Sequence, residues 1–528
     1  MATATLPSAT GIAADADRYA HRYIIAITVT LAAIMELIDT SIVNVAIPHM
    51  MGNLGATLDQ IAWVSTGYIV ANVIVLPITG WLSSYFGRRR YFAGSIALFT
   101  IASFFCGNSH SLGELVAWRI VQGLGGGALL STAQATLYEV FPPSEYGTAM
   151  AIFGVGVMVG PTLGPTLGGY ITDVFSWPWI FYINIPFGVA ALLLTLAYLR
   201  DSRYAVKSSR VDWAGLGLLA LGVGTLQTML ERGERLDWFA SREIVTFAVV
   251  SAVSLAAFVW HELSTDQPVV DLRILKSRQL AAGVGFGGML GICLYATIFV
   301  LPVYLQQLMG FTANQTGMVI LPGALASAVT MAVMARQVGR FDGRISVVVG
   351  VAIFATAMWQ MSRFTTLSGQ SDFLWPMILR GVGLGLIFVP LTNLALAELP
   401  MDRIPNGTGL FNLLRQLGGS VGIAISATLL SRFAATNHAM IAEHVSRFDP
   451  TTRARLAAIT STLIHRGELP ALADRHAIAI LDSQVTRQAL MLSFERLFLL
   501  FGIGFVVATP LLLFMRKGRG FQGGGAAH

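Results

Sequence analysis

Long apolar segments recur along the whole chain of 528 residues, and they limit its possible folds more than any other feature. A helix needs roughly 20 mostly apolar residues to cross the hydrocarbon core of a bilayer. Fourteen such segments lie near residues 23–48, 60–82, 91–108, 113–138, 147–172, 178–199, 212–231, 243–263, 281–304, 315–335, 345–362, 374–398, 407–430 and 488–515. The sequence therefore predicts an all-α membrane protein with fourteen transmembrane helices.

Charged residues are scarce for a chain of this length. They make up 12% of it, whereas a soluble domain is roughly a quarter charged. So few charges cannot cover the surface of a soluble enzyme, a nucleic-acid-binding protein or a disordered scaffold. The net charge of +6 instead suits a membrane protein, in which Lys and Arg collect on the cytoplasmic side.

The distribution of basic residues predicts the orientation of the chain. With the N-terminus inside, nineteen of the 34 Lys and Arg residues fall in cytoplasmic segments and four in short outer loops. An even number of spans places both termini on the same side, and the positive-inside rule makes that side the cytoplasm. The first apolar run is too long for a signal peptide, so we interpret it as an uncleaved first span.

Internal echoes indicate that the chain contains two related halves. Arg119, in WRIVQGLGGG, and Arg380, in LRGVGLGL, each lie six residues into a span that starts outside. The loop FGRRR (86–90) is echoed by GRFDGR (339–344). Such repeats are typical of secondary transporters. We predict a cytoplasmic segment 1–22, a six-helix bundle 23–200, a two-helix insert with linkers 201–280, a second six-helix bundle 281–515 and a cytoplasmic tail 516–528.

Two carboxylates lie within the first span, in IMELIDTSIVNVAIP. Glu36 and Asp39 are three residues apart and share one helix face. A charge at a helix centre costs roughly 2.5–3.5 kcal/mol on insertion scales. From the helical rise, Asp39 lies about 13 Å and Arg119 about 9 Å below the outer ends of their helices, so a direct or water-bridged pair is possible. Asp39 is interpreted as a carboxylate that carries protons, and the alternative is a structural ion pair. Glu36 either shares that role or binds a cationic substrate.

The fifth span contains an unusual density of glycine and proline. Its sequence GVGVMVGPTLGPTLGGYITD includes Gly160, Pro161, Gly164, Pro165, Gly168 and Gly169. Glycines spaced by four let another helix approach closely, and the two prolines disturb one stripe of the helix. We interpret the segment as a hinge or a seal against proton leak, with ordinary small-residue packing as the alternative.

Four motifs together resemble the major facilitator superfamily, and within it the fourteen-span drug:proton antiporters of the EmrB/QacA type. They are LIDTSIVNVAIP (37–48), GWLSSYFGRRR (80–90), RIVQGLGGG (119–127) and GPTLGPTLGG (160–169). The resemblance implies the major facilitator fold. It also implies proton coupling through Asp39 and Arg119, and a cytoplasmic loop motif of Gly80, Gly87, Arg88 and Arg89. Glu36 stands where EmrB-like sequences need not have an acid, so its predicted role rests on its place in the first span. In this chain Ser84 stands where that loop usually has an aspartate.

Two segments of the insert region, 226–244 and 268–278, and the glycine-rich ending FQGGGAAH are similar to the Gram-negative EmrB branch of this family. That likeness implies two partners, a membrane-fusion adaptor of the EmrA type and an outer-membrane channel of the TolC type. The prediction is then a proton-coupled multidrug efflux transporter of the bacterial inner membrane. It is a secondary active transporter and not an enzyme, and no Walker A pattern is present.

A cavity between the bundles is expected to bind amphipathic molecules. The residues predicted to line it are Glu36, Trp63, Tyr68, Asn72, Tyr295, Phe299, Phe388, Asn393, Phe411, Asn412 and Arg415. Arg415 would meet anionic substrate groups or backbone carbonyls, or hold helices together. Two other functions stay open at this point. One is a proton-coupled importer or exporter of a metabolite or fatty acid, and the other is a lipid-modifying membrane enzyme, although the sequence shows no catalytic cluster at one membrane face.

The longest stretch without a span, 431–487, is predicted to lie outside the membrane. It should contain one helix between Thr451 and Gly467 and a second that continues into the last span. We expect this segment to contact the adaptor. No cofactor or metal site is predicted, because Cys106 and Cys293 lie in apolar runs that suit core packing. Surface positions are likewise preferred over a metal site for His438, His444, His465 and His476.

Overall fold

The computed structural model describes residues 21–202, 212–266, 268–337, 342–446 and 448–515, and in these ranges the chain is helical without any β-strand. Most of the predicted N-terminal segment, the linker 203–211, part of the loop echo at 338–341 and the tail 516–528 lie outside the described residues. The side chains of Pro161 and Pro165 also lie outside the description.

Six long helices form the first bundle. They are α1 (Arg22–Leu54), α2 (Trp63–Phe86), α3 (Arg88–Gly107), α4 (Leu112–Val140), α5 (Tyr146–Val174) and α6 (Trp179–Tyr182 continued by Asn184–Tyr198). Helix α4 begins where Ser111 accepts a hydrogen bond from the Glu114 amide at 3.3 Å, and Glu114 accepts one from the His110 amide at 3.0 Å. These reciprocal bonds satisfy amides that a helix start leaves unpaired.

The insert and the second bundle follow the same pattern. Their helices are α7 (Trp213–Arg232), α8 (Arg242–Ser264), α9 (Arg278–Val303), α10 (Ala313–Gln337), α11 (Gly343–Met361), α12 (Gln370–Leu396), α13 (Ile404–Glu443), α14 (Pro450–His465) and α15 (Pro470–Ala508). Side chains of Asp212, Ser277 and Asp342 cap the starts of α7, α9 and α11.

The predicted fold is confirmed. By length and composition, twelve apolar helices in the described ranges can cross a membrane, and α4 and α5, each of 29 residues, pack among them. Each of the fourteen predicted spans corresponds to one of these helices. The main difference is at their ends: α1 runs through Pro48 and stops at Gly55, whose φ of 60° lies in the left-handed region.

Packing divides the helices into two groups with an interface between them. Helices α1 to α6 pack mainly on one another, as do α9 to α13 and α15. Across the interface, α5 packs against α10 and α2 against α13. The hydroxyl of Tyr138 donates to Oδ1 of Asn393 at 2.8 Å, near the C-terminal ends of α4 and α12. Two bundles with an interface between them provide the place where a central site can form.

The insert connects both bundles. Helix α7 packs on α8 and also contacts α2 and α13. Gln227 on α7 donates to the Ser420 hydroxyl at 2.8 Å, and the Trp238 indole that follows α7 donates to Thr428 at 2.9 Å. The guanidinium of Arg232 lies 5.2 Å from the ring centroid of Trp63 on α2. The two extra helices therefore bridge α2 and α13 rather than hanging at the edge of the fold.

Helices α13 and α15 extend far beyond the length a bilayer requires. The 40 residues of α13 span about 60 Å, twice the hydrocarbon thickness. Helix α14 packs on α15 in this extension and begins one residue before the predicted Thr451. Hydrogen bonds from Thr451 and Thr452 hold the pKa of Asp449 below its usual value, so the cap of α14 is ionised at neutral pH.

Candidate functional site

A closed ion pair lies inside the first bundle. Arg119 donates to Oδ2 of Asp39 at 2.6 Å, and the two residues are 1% and 0% exposed. Oδ1 of Asp39 accepts from Gln122 at 3.0 Å and from Asn184 at 2.8 Å. Arg119 also donates to the carbonyl of Val64 at 3.0 Å. Asp39 and Arg119 thus meet at the depth that the sequence predicts, and both charges are compensated by protein groups.

Three neutral polar residues of this network escape sequence reasoning. Besides their bonds to Asp39, Gln122 and Asn184 both donate to the hydroxyl of Ser103, at 2.6 and 3.3 Å. The spacing of Gln122, one helical turn after Arg119, is a signal that could have placed it on the same face. Asn184 and Ser103 come from other helices, and no local pattern points to them.

Tyr68 belongs to the ion pair rather than to an open cavity. Its ring centroid lies 4.1 Å from Cζ of Arg119, and Tyr68 is 1% exposed. Phe181 approaches the same guanidinium from 5.6 Å. The two rings stabilise the cation through their π faces and exclude water from the pair.

Glu36 lies at the interface between the bundles. Its Oε1 accepts from the Asn72 amide at 2.8 Å, and Oδ1 of Asn72 accepts from Gln416 of the second bundle at 3.3 Å. Glu36 is 3% exposed, and its Oε2 has no hydrogen-bond partner among the described residues. Unlike the carboxylate of Asp39, the carboxyl group of Glu36 keeps one oxygen atom free to accept a hydrogen bond in the buried interface.

Arg415 is adjacent to this interface and its guanidinium group has no hydrogen-bond partner among the described residues. It is 1% exposed, and none of its three guanidinium nitrogens has a hydrogen-bond partner among the described residues. It interacts electrostatically with Glu36 and Tyr295, and its Cζ lies 5.7 Å from the Phe388 ring centroid. A buried cation of this kind is costly unless something satisfies it. Its guanidinium group can therefore donate hydrogen bonds to an anionic or other acceptor group of a ligand.

The other predicted cavity residues do not all come together. Asn412 donates to Gln134 at 2.7 Å across the interface, one turn from Arg415. Phe411 is buried against Gly287. Asn393 lies at the inner contact with Tyr138, Trp63 lies under Arg232 at the insert, and Phe299 is half-buried in the second bundle. The central group is thus Glu36, Asn72, Tyr295, Phe388, Asn412 and Arg415.

The glycines of α5 face α1 directly over the acidic segment. A side chain at Gly160 would place its Cβ 2.7 Å from Cβ of Leu37, and one at Gly164 would overlap Ser41. At Gly168 the Cβ would lie 3.0 Å from the carbonyl oxygen of Ile42. Gly169 follows in the same continuous helix. Helices α1 and α5 approach so closely that any side chain at these three positions would force them apart.

The loop motif between α2 and α3 is held by acids from elsewhere in the first bundle. Arg88 forms an ion pair with Glu139 of α4, and the Arg89 amide donates to Asp201 at 3.0 Å. Gly87 has a φ of 85°, in the left-handed region, next to Asp201. Ser84 donates to the Gly80 carbonyl of its own helix at 3.0 Å. Gly80 contacts Asn406 at the start of α13, so the loop motif also touches the second bundle.

Metal ligation has no support in the described part of the chain. No group of three or more His, Cys, Asp or Glu side chains is placed there to hold an ion. Cys106 and Cys293 are buried and free. His438 pairs with Asp482 at 3.0 Å and His476 with Glu468 at 2.8 Å, both on the outer extension.

Comparison with known proteins gives consistent matches over the length of the chain. The model of the Major Facilitator Superfamily matches residues 29–423. The multidrug export protein EmrB of Escherichia coli K12 is 34% identical over 507 residues, covering 96% of this chain and 98% of that protein. The fatty acid resistance protein FarB of Neisseria gonorrhoeae is 33% identical over 505 residues, covering 96% and 97%.

A solved structure agrees with the fold. The human organic anion transporter MFSD10 aligns with a TM-score of 0.58 at 14% identity, over 92% of this chain and 99% of that one. At this identity the match concerns the arrangement of helices alone.

Proposed function

The chain belongs to the major facilitator superfamily, among its EmrB/QacA-type drug transporters, and we propose that it exports amphipathic toxic compounds from the cytoplasm in exchange for protons. It is a multi-pass membrane transporter by family and by its helices. We place it in the bacterial inner membrane with both termini inside, on the distribution of basic residues. The observation that carries the proposal is the pair of buried carboxylates on α1. Asp39 is paired with Arg119, whereas Glu36 lies at the interface with one oxygen that lacks a hydrogen-bond partner among the described residues.

Proton coupling would use both acids and the glycine-rich contact. In this mechanism Asp39 exchanges its bond to Arg119 for a proton when the helices shift, and Glu36 takes up or releases a proton in the interface. The tight contact of α5 with α1 over Asp39 excludes water, and the Tyr138–Asn393 bond and the contact of Gly80 with Asn406 join the two bundles at the cytoplasmic side. One proton moving through 100 mV supplies about 2.3 kcal/mol, enough for a gradient of roughly 50-fold.

Substrate binding would centre on Arg415 and its aromatic neighbours. Arg415 offers donors without hydrogen-bond partners among the described residues, and the rings of Phe388 and Tyr295 lie beside it. An amphipathic molecule with an anionic or acceptor group satisfies the cation while its apolar part replaces water at the rings. Broad selectivity follows because few polar groups fix the orientation of a ligand.

Inside-out vesicles test the direction, the coupling and the role of Arg415 together. With an acidic interior, wild-type vesicles should accumulate an amphipathic anionic dye and release protons as they do so. Arg415→Gln should reduce this accumulation at least tenfold because the ligand loses its donors, whereas Arg415→Lys should keep part of it.

The same vesicles distinguish the alternatives. A proton-coupled importer would instead deplete preloaded substrate under the same gradient, which would refute export. Arg242→Gln removes an exposed arginine and serves as the matched control. Equal loss in that variant would show that the Arg415 effect is not specific to the site.

We also propose that the outer extension docks a membrane-fusion adaptor in a three-part efflux system. The ends of α13 and α15, with α14, form a helical projection that carries a small, mainly apolar open cavity of about 190 Å³, bordered by Val445, Leu456 and Ile478. Replacing residues 440–480 by a short flexible loop should abolish co-purification with an EmrA-type adaptor while vesicle transport persists. Retained co-purification would rule out this contact.

A further inference from the structure

A cavity of about 440 Å³ opens at the inner end of the second bundle, away from the central site. It lies where the segment before α9 meets the residues just after α12 and the 3-10 helix Thr509–Phe514, which follows α15 and is called the last helix below. Lys276, Arg278 and Glu398 line it, together with the apolar side chains of Leu513 and Phe514. Nothing in the proposed transport cycle uses these residues.

The charges in this cavity are unbalanced. Lys276 and Arg278 are exposed, and neither has an ion-pair partner among the described residues. Glu398, the acid that lines the cavity, accepts a hydrogen bond from the hydroxyl of Ser277 at 3.2 Å. Two cations against one carboxylate leave a net positive charge that suits an anionic group with several acceptor oxygens.

The apolar wall of the cavity indicates what the anion is attached to. Leu513 is 82% exposed and Phe514 is 62% exposed, at the point where the last helix reaches the inner surface. Large apolar side chains in such a position lie against the bilayer. A small soluble anion would leave these apolar side chains uncovered, whereas the acyl chains of a lipid would pack against them.

We propose that this cavity binds the phosphodiester headgroup of an inner-leaflet phospholipid. The phosphate oxygens accept hydrogen bonds from Lys276 and Arg278, and the acyl chains lie along Leu513 and Phe514. Basic pockets between transmembrane helices on the cytoplasmic side favour lipid headgroups in this way. The site holds α9, α12 and the last helix together at their inner ends through a ligand supplied by the membrane itself.

Native mass spectrometry of the purified full-length protein, titrated with phosphatidylglycerol, tests the proposal. Lys276→Gln with Arg278→Gln should weaken retention of the lipid at least fivefold. The matched control is Arg453→Gln with Arg455→Gln, which removes two exposed charges from α14 on the outer extension and should leave retention unchanged. Equal affinity in wild type and the Lys276/Arg278 variant would overturn the proposal.

Two further measurements separate the possible sources of the anion. Glu398→Gln should tighten phosphatidylglycerol binding about twofold to fivefold, because a repelling carboxylate is removed; weaker binding would contradict the placement of the headgroup.

Glycerol phosphate at millimolar concentration should fail to displace the lipid, and full displacement would assign the site to a soluble phosphate instead. Photoactivatable phosphatidylglycerol should label the peptide that carries Leu513 and Phe514 in the wild-type protein, so this measurement does not depend on the folding of any variant. Labelling of other peptides alone would refute the site.

Discussion

Replacing Asp39 by Asn is expected to abolish substrate-dependent proton release, at least tenfold below wild type, and to destabilise the protein as well. The substitution leaves Arg119 buried with no counter-charge, and breaking a buried pair in this way costs about 3–5 kcal/mol. Thermal unfolding of the purified protein measures the second effect, and a pH-sensitive dye in inside-out vesicles measures the first.

A second substitution separates the structural role of Asp39 from proton transfer. Arg119→Gln in the Asp39→Asn background removes the uncompensated charge and should recover most of the lost stability. If Asp39 carries a proton, coupled transport stays absent in this stable double variant. If transport returns together with stability, Asp39 only holds two helices together. Asp266→Asn removes an exposed carboxylate and is the matched control.

Glu36→Gln is expected to remove gradient-driven transport without unfolding the protein. A glutamine keeps an acceptor for the Asn72 amide, so the chain from Glu36 through Asn72 to Gln416 survives. It cannot ionise, however, so the interface no longer exchanges a proton during the cycle. Uptake driven by an acidic interior should fall at least tenfold, while substrate exchange without a gradient should stay within about twofold of wild type.

The charge of the substrate distinguishes the two interpretations of Glu36. A proton carrier is needed for every substrate, so cationic, neutral and anionic dyes should all lose gradient-driven uptake. A carboxylate that only binds cations would affect cationic dyes alone. Undiminished gradient-driven uptake of all three dyes in Glu36→Gln would remove this residue from the mechanism.

The fold could be predicted from sequence because the bilayer imposes a length on each span and a side on each basic loop. The pairing of Asp39 with Arg119 could also be anticipated, since depth along a helix follows directly from residue count. The continuation of α15 from the polar segment into the last span was also predicted. The extension of α13 to Glu443, beyond its predicted end at residue 430, was not, because polar helical residues continue the helix without any change of period.

The polar partners of the central groups could not be predicted, and the reason is tertiary. Asn184 and Ser103 come from different helices, and neutral polar residues occur in many spans without a role. The two acids differ in their hydrogen bonding because their neighbours differ. Both oxygens of Asp39 accept hydrogen bonds, whereas Glu36 faces the interface with one oxygen that has no partner among the described residues. The bridge from Gln227 to Ser420 likewise depends on where the insert packs, which no local motif specifies.

Helix α13 carries Arg415 and Gln416 at the interface between the bundles and continues without interruption to Glu443. The 28 residues that follow Arg415 in this helix correspond to a length of about 42 Å. A tilt of roughly 10° at the central site would displace the outer tip by about 7 Å over that length. If a ligand at Arg415 tilts α13, the same rigid movement would reach the far end of the helix, where the adaptor is proposed to dock.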